Sequence, residues 1–261
     1  MARLVIHLLG PFHAVVDGEA VTGFESNKVR ALLAYLAVHA DRPHSREALA
    51  ALLWPDRSDA AARRNLRQAL SNLRAAIGDQ TASTPCLLVT RTTLQINPTG
   101  DHWLDVAEFD AHLTAVETHS HTDLTTCAAC ITHLEQAAAL YRGPFLEGLF
   151  LPNSAPFDEW ATLQRERIHR QALEVLYHLC HHYERRRDYP RAWRLAHRQV
   201  EMEPWREEAH RQLMRILAHS GQRSAALAQY KVCRRILAEE LGVEPDAETQ
   251  ALYARIRDAG N

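Results

Sequence analysis

The chain has 261 residues, 46% of them hydrophobic, enough for one large domain or two ordinary ones that each bury a core. Its 30 Lys and Arg nearly balance 32 Asp and Glu, yet unevenly: residues 1–100 hold 11 basic and 8 acidic side chains (net +3), the remainder 19 and 24 (net −5). No apolar run reaches the roughly 18–20 residues that span a bilayer, the first apolar stretch meets Gly10-Pro11 too early for a secretory signal, and five cysteines are too few for a disulfide scaffold. These features predict a cytoplasmic protein without a membrane partner. Gly-x4-Gly-Lys-Ser/Thr, Gly-x-Gly-x-x-Gly, Gly-x-Ser-x-Gly and His-Glu-x-x-His are all absent from the sequence, and its ten glycines are scattered, so it does not read as an enzyme.

The first hundred residues mix strands and helices. Leu4–Leu9, Ala14–Val16 and Ala20-Val21 are short β-prone runs, with Asp17-Gly18 as a hairpin turn. Ser26 opens a helix over about 27–39, Ser45 a second that stops at Trp54-Pro55, and Ser58 or Asp59 a third that runs to Ile77 and closes at Gly78. Cys86–Ile96 reads as two strands around a Thr/Arg turn. From Trp103 the pattern is helical, with Leu163, Ile168, Leu173, Leu176 and Leu179 as an apolar series. At a spacing of 34 residues Leu179 matches Leu213, Tyr183 matches Leu217, Ala192 matches Ala226 and Ala196 matches Tyr230, with Pro204 closing the first unit; this is the period of a tetratricopeptide repeat. Two units are too few for a free-standing stack, so flanking helices are expected to complete it. The linker falls near Asn97–Gly100.

The third helix carries the most chemical information. At about 100° per residue, Leu70, Leu73 and Ile77 lie within about 40° of Leu66. Arg64, Arg67, Gln68, Ser71 and Ala75 occupy the opposite side, flanked by Arg63 and Arg74 and by Asn65 and Asn72. A solvated helix normally mixes charge signs to gain i,i+4 pairs, but between Arg57 and Arg74 there are five Arg and only Asp59 to oppose them. Arg, Gln and Ser read base edges and bind phosphates. A third helix followed by a two-stranded hairpin is the order of a winged helix, whose third helix enters the major groove, and Arg91 at the hairpin tip suits a narrow minor groove. The opposing reading is a basic surface helix and an ordinary polar turn.

Asn27-Lys28-Val29-Arg30-Ala31-Leu32-Leu33-Ala34-Tyr35-Leu36, Leu53-Trp54-Pro55-Asp56 and Ala62-Arg63-Arg64-Asn65-Leu66-Arg67-Gln68-Ala69-Leu70-Ser71 resemble the SARP-type (antibiotic regulatory protein) transcriptional activators. Leu140–Leu146, Glu159-Trp160, Pro204–His210 and Glu239–Pro245 resemble the bacterial transcriptional activator domain (BTAD) that follows in that family. The resemblance covers nearly the whole chain. It implies a mainly α fold with a small β part: an OmpR-like winged-helix DNA-binding domain over 1–98 and an all-α, tetratricopeptide-like repeat domain over 102–261. It also implies a DNA-binding activator that reads promoter direct repeats through Arg63, Arg64, Arg67, Gln68, Ser71, Arg74 and Arg91. It implies a homodimer on DNA and an RNA polymerase contact through Asp56 and Arg57, with Trp54 turned into the core. Glu207 and Glu208 are expected to be structural, capping the helix after Pro204. Members often continue into an ATPase and further repeats; these residues hold neither, so the resemblance implies a short member or a segment of a longer chain. The rival reading is a repeat-type protein-interaction adaptor whose winged helix does not bind.

A second cluster runs from His119 to His133. His119, His121, Cys127 and Cys130, with His133 as a substitute, have the donor types and spacing of a closed structural zinc site. Simple core packing of the cysteines and a redox Cys-x-x-Cys stand as alternatives, and a catalytic metal is disfavoured because four protein ligands leave no open position. Cys86, Cys180 and Cys233 are expected to pack in the core.

Overall fold

The structure, a computed structural model, describes residues 3–82, 84–121 and 123–259. The chain opens with β1 (Leu4–His7), β2 (Gly10–Pro11), β3 (His13–Val16) and β4 (Glu19–Ala20). Asp17 (φ 51°) and Gly18 (φ 91°) turn β3 into β4 with the paired left-handed conformation that Asp-Gly favours. Next come α1 (Asn27–Val38), β5 (His44–Ser45), α2 (Arg46–Leu53), α3 (Asp59–Ala76), β6 (Leu87–Val89), β7 (Thr93–Ile96) and β8 (His102–Leu104). They are followed by α4 (Asp105–Thr118), a short 3-10 turn at Leu124–Thr126, α5 (Ala128–Leu140), β9 (Phe145–Glu147) and α6 (Ala155–Arg185). The chain ends with α7 (Tyr189–Met202), α8 (Glu207–His219), α9 (Arg223–Glu240) and α10 (Ala247–Asp258).

Two compact units emerge: residues 1–111 with 139–169, and residues 112–138 with 170–261. They cut across the sequence boundary near 98–102, for two reasons found in the first unit. β8 pairs in parallel with β1, completing a sheet of order β4-β3-β1-β8. Beside it, the buried Asp105 carboxylate accepts from the Leu8 amide at 2.8 and 2.9 Å and the Leu9 amide at 3.0 Å. Arg142 (3.2 Å) supplies the counter-charge. β9 joins β2, so the chain after α5 also returns to this unit.

Within the first unit, α1, α2 and α3 pack around Leu32, Leu33, Leu36, Leu49, Leu53, Leu66 and Leu73. The sheet β5-β7-β6 ties α2 to the hairpin, as His44 pairs with Leu94 and the Arg46 amide donates to Thr92 O at 2.9 Å. Ser45 caps α2 through Ala48 N, whereas Ser26 and Ser58 occupy cap positions without a side-chain cap bond. Trp160, in the quoted Glu-Trp pair, donates Nε1–H to His39 Nε2 at 3.0 Å within a ring cluster of Tyr35, His39 and His44. Leu163, expected in an apolar series, is 61% exposed; Ile168, Leu173, Leu176 and Leu179 are buried without it.

In the second unit the 34-residue repeat is realised as paired antiparallel helices. Cys180, Tyr183, Ala192, Ala196, Leu213 and Ile216 form one core, and Met214, Leu217, Ala226, Leu252 and Ile256 the next. Ala192, Ala196 and Ala226 are fully buried where the helices approach closely. α10 closes one end, and α5 adds a hydrogen bond between Glu135 and Tyr183. Glu207 and Glu208 stand in the first turn of α8, as expected, and the Glu207 carboxylate also accepts the Asp246 amide at the start of α10. Glu208 faces Arg206 and Arg211. Cys86, Cys180 and Cys233 are buried, and burial pushes the Cys180 and Cys233 thiols up to about 12, leaving them inert.

Asp105→Ala leaves two buried amides without an acceptor, so urea unfolding is expected to show a loss of about 2–4 kcal/mol. A separate expectation concerns acid. His210 is buried and neutral, Nε2 donating to Pro204 O at 2.8 Å while Nδ1 accepts from Gln229 at 2.8 Å; burial holds its pKa below the ordinary 6.5. The unfolded state therefore binds the proton first. Stability should be full above 6.5 and fall as pH drops through and below that value. Stability measured against pH should show this fall, and His210→Gln should reduce its steepness.

Candidate nucleic-acid interface

α3 is amphipathic because its apolar residues repeat at helical spacing, burying Ala62, Leu66, Ala69, Leu70 and Leu73. The same geometry places Arg63, Arg64, Arg67, Gln68 and Ser71 on the exposed side. Asn72 on its flank donates to Gly23 O at 3.0 Å and accepts from Glu25 N at 3.1 Å, fixing the helix's rotation about its axis. Arg63 is 3.7 Å from Glu47, an exposed pair of small energetic weight. Arg64, Arg67 and Arg91 have no ion pair among the described residues.

The hairpin β6–β7 is built around Thr90–Thr92. The Thr90 hydroxyl accepts from the Thr92 and Thr93 amides at 3.2 and 2.9 Å, so Arg91 is held at an exposed, structured tip. Ser45, Arg46, Glu47, Arg63, Leu66, Arg67, Arg91 and Thr92 line one pocket of about 340 Å³. Two of the expected helix arginines, Arg63 and Arg67, therefore share a single concave wall with the wing arginine, whereas Arg64 and Arg74 do not line it. Arg46 is an addition not expected from the sequence; its place directly after the Ser45 cap was the available signal, and the bond of its amide to the hairpin emerges only in the fold. Its Nε is buried without a hydrogen-bond partner.

Arg74 behaves differently. Its Nε lies 3.3 Å from the buried Asp79 carboxylate, which also accepts from the Cys86 and Leu87 amides at 2.6 and 3.2 Å. Arg3 caps the end of α3 by donating to Ile77 O and Gly78 O at 3.0 and 2.9 Å. Arg74 is thus part of the joint between α3 and β6, while Arg64, Arg67 and Arg91 remain exposed.

The loop between α2 and α3 turns Trp54 inward, with Lys28 Nζ 5.3 Å from its ring centre and 2.5 Å from Leu53 O. Burial lowers the Lys28 pKa. Asp56 and Arg57 remain exposed, 3.8 Å apart.

In the second unit, ligand atoms of His119, Cys127 and Cys130 lie within 4.8 Å of one another. His121 Nδ1 stands 3.6 Å from Cys130 Sγ and 2.9 Å from His119 O. His133 instead faces His112, Nδ1 to Nδ1 at 3.1 Å. The Cys127 thiol pKa is lowered, chiefly by the Cys130 amide, and that of Cys130 is raised by burial.

Residues 104–257 match the family profile described as bacterial transcriptional activator domain, and residues 25–93 match that described as transcriptional regulatory protein, C terminal. The transcriptional regulatory protein EmbR of Mycobacterium tuberculosis is 28% identical over 97% of this chain and 63% of its own length. MoaR1, a transcriptional regulatory protein of the same organism, is 28% identical over 96% of the chain and 78% of its length. The regulatory protein AfsR of Streptomyces coelicolor is 31% identical over 97% of the chain and 24% of its length. The structure of M. tuberculosis EmbR in complex with a low-affinity phosphopeptide superposes with a TM-score of 0.72 at 25% identity, covering 99% of this chain and 66% of that one. The chain thus spans about 63% of the length of the EmbR relatives. Among the described residues, no helix is long and apolar enough to cross a membrane.

Asp79→Ala is expected to cost about 2–4 kcal/mol in chemical unfolding, because two buried amides and a guanidinium lose their acceptor. Arg67→Ala, on the exposed side, should stay within about 0.5 kcal/mol of the parent in the same measurement.

Proposed function

The chain belongs to the bacterial transcriptional activator domain family and is a SARP-type regulator rather than an enzyme, and we infer from this membership that it binds double-stranded DNA to activate transcription. The observation that carries the reading is the pocket in which Arg63 and Arg67 of α3 meet Arg91 of the wing and Arg46 of α2. A helix end and a hairpin tip sharing one cationic concavity suit a duplex backbone, with the exposed side of α3 in the major groove and Arg91 at the adjacent minor groove. Arg67, Gln68 and Ser71 are the base readers in this arrangement, and Arg63 and Arg64 engage phosphates.

The exposed Asp56 and Arg57 form the contact to RNA polymerase, and two copies occupy the direct repeats of a promoter. Trp54, buried below them, gives that loop a fixed floor.

Binding to duplex DNA from upstream of the protein's own coding region, followed by gel shift across salt concentrations, tests the reading. Arg67→Ala should lose about 1–3 kcal/mol on the specific site and relax its sequence preference. Arg64→Ala should weaken all sequences alike and lower the salt slope by about one. Equal DNA binding by a folded variant with Ala at 63, 64, 67 and 91 overturns the proposal, and absence of binding by the parent chain favours the adaptor reading.

A further inference from the structure

We propose that His119, His121, Cys127 and Cys130 form a tetrahedral zinc site that closes the connection between α4 and α5. Three of the four donors already converge, with ligand atoms within 4.8 Å of one another. Around tetrahedral zinc, S to N separations are about 3.5 Å and S to S about 3.8 Å, so closure needs movements of about 1 Å. His121 Nδ1 lies 3.6 Å from Cys130 Sγ but donates to His119 O at 2.9 Å, so His121 joins the site by releasing that bond or by turning its Nε2 to the ion. The two imidazoles lie side by side, nearly parallel at 15°. Two thiolates and two imidazoles are a soft donor set that selects zinc over calcium or magnesium.

The loop is positioned by contacts outside the donor set. Asp123 accepts from the Thr125 amide at 2.9 Å and from Arg185 at 2.5 Å, and His182 Nδ1 approaches Thr125 O at 2.6 Å. These bonds hold the loop against α6, so little ordering remains to be done when the ion enters. His133, the other imidazole near in sequence, is turned to His112, which leaves His121 as the fourth ligand. Four protein donors fill the coordination sphere, so the ion stiffens the α4–α5 connection and performs no reaction.

The test uses the full chain, stripped with chelator under reductant and then given zinc alone. Native mass spectrometry should show one ion per chain, and added zinc should raise the thermal midpoint in a concentration-dependent way. Cobalt in place of zinc should give the visible and thiolate charge-transfer bands of a tetrahedral site. His119→Ala and Cys127→Ser, at positions that are not fully buried, should each lose the ion while retaining the parent's helical circular dichroism. His121→Ala should weaken binding and His133→Ala should not. A reduced chain that takes up no zinc, one whose uptake survives His119→Ala and Cys127→Ser together, or one that depends on His133 in place of His121 overturns the assignment.

Discussion

A single buried carboxylate sets the geometry on which the arginine-lined surface depends. α3 ends at Ala76, capped by Ile77, and Gly78 just beyond it has a φ of +62°, a conformation that side-chain-bearing residues adopt at a cost. Asp79 follows at once, and its oxygens take the amides of Cys86 and Leu87 together with the Arg74 guanidinium. One side chain thereby joins the helix end to the first strand of the hairpin. Burying a carboxylate in this way requires its hydrogen bonds and its counter-charge together. Arg74 provides that charge, which is why it turns away from the open side of α3. The placement of the backbone at Arg67 relative to that at Arg91 is consequently set by the core.

This placement also explains how a first hundred residues of net charge only +3 present a strongly cationic surface. Charges in solution feel one another over roughly 8–10 Å at physiological salt, so what a duplex meets is the local density at the pocket. There Arg46, Arg63, Arg67 and Arg91 face a single carboxylate, Glu47. The acidic residues that balance the total lie elsewhere in the sequence. Arginine in place of lysine adds a planar fork with several donors, which loses less freedom per bond formed to a phosphate or a guanine edge.

Features carried by local periodicity were legible in the sequence. The three helices before the hairpin, the Asp17-Gly18 turn, the open arginine side of α3 and the 34-residue repeat all follow from spacing within one or two turns or one supersecondary unit. The convergence of His119, Cys127 and Cys130 was legible for the same reason, since they fall within twelve consecutive residues. What escaped was long-range hydrogen bonding. Asp105 reads in sequence as an ordinary acid in the first turn of a helix; its partners, Leu8 and Leu9, lie almost a hundred residues away, and no pattern announces them. The compact units divide differently from the expected 98–102 boundary, which the two family profiles straddle, because β8 has too few residues to signal that it completes the first sheet. Arg74 looked equivalent to Arg67 on a helical wheel, and only the tertiary position of Asp79 separates their roles.

The repeat unit shows how register is chosen where apolar packing alone is permissive. Ala192, Ala196 and Ala226 let the helices approach closely, but small side chains by themselves specify register only weakly. Buried polar groups remove that freedom. Gln199 donates to Gln212 at 2.9 Å, Gln212 to Tyr177 O at 3.1 Å, and His210 bridges Pro204 O and Gln229. A one-turn slip would strand each of these groups without water or partner, at a cost of about 1–3 kcal/mol apiece. Small residues permit close approach, and the glutamine and histidine bonds decide which close approach is adopted. The 34-residue period records the packing distance, while the hydrogen-bonding residues, which do not recur at that spacing, set the register. In this chain the second unit depends on those bonds as the first depends on Asp79.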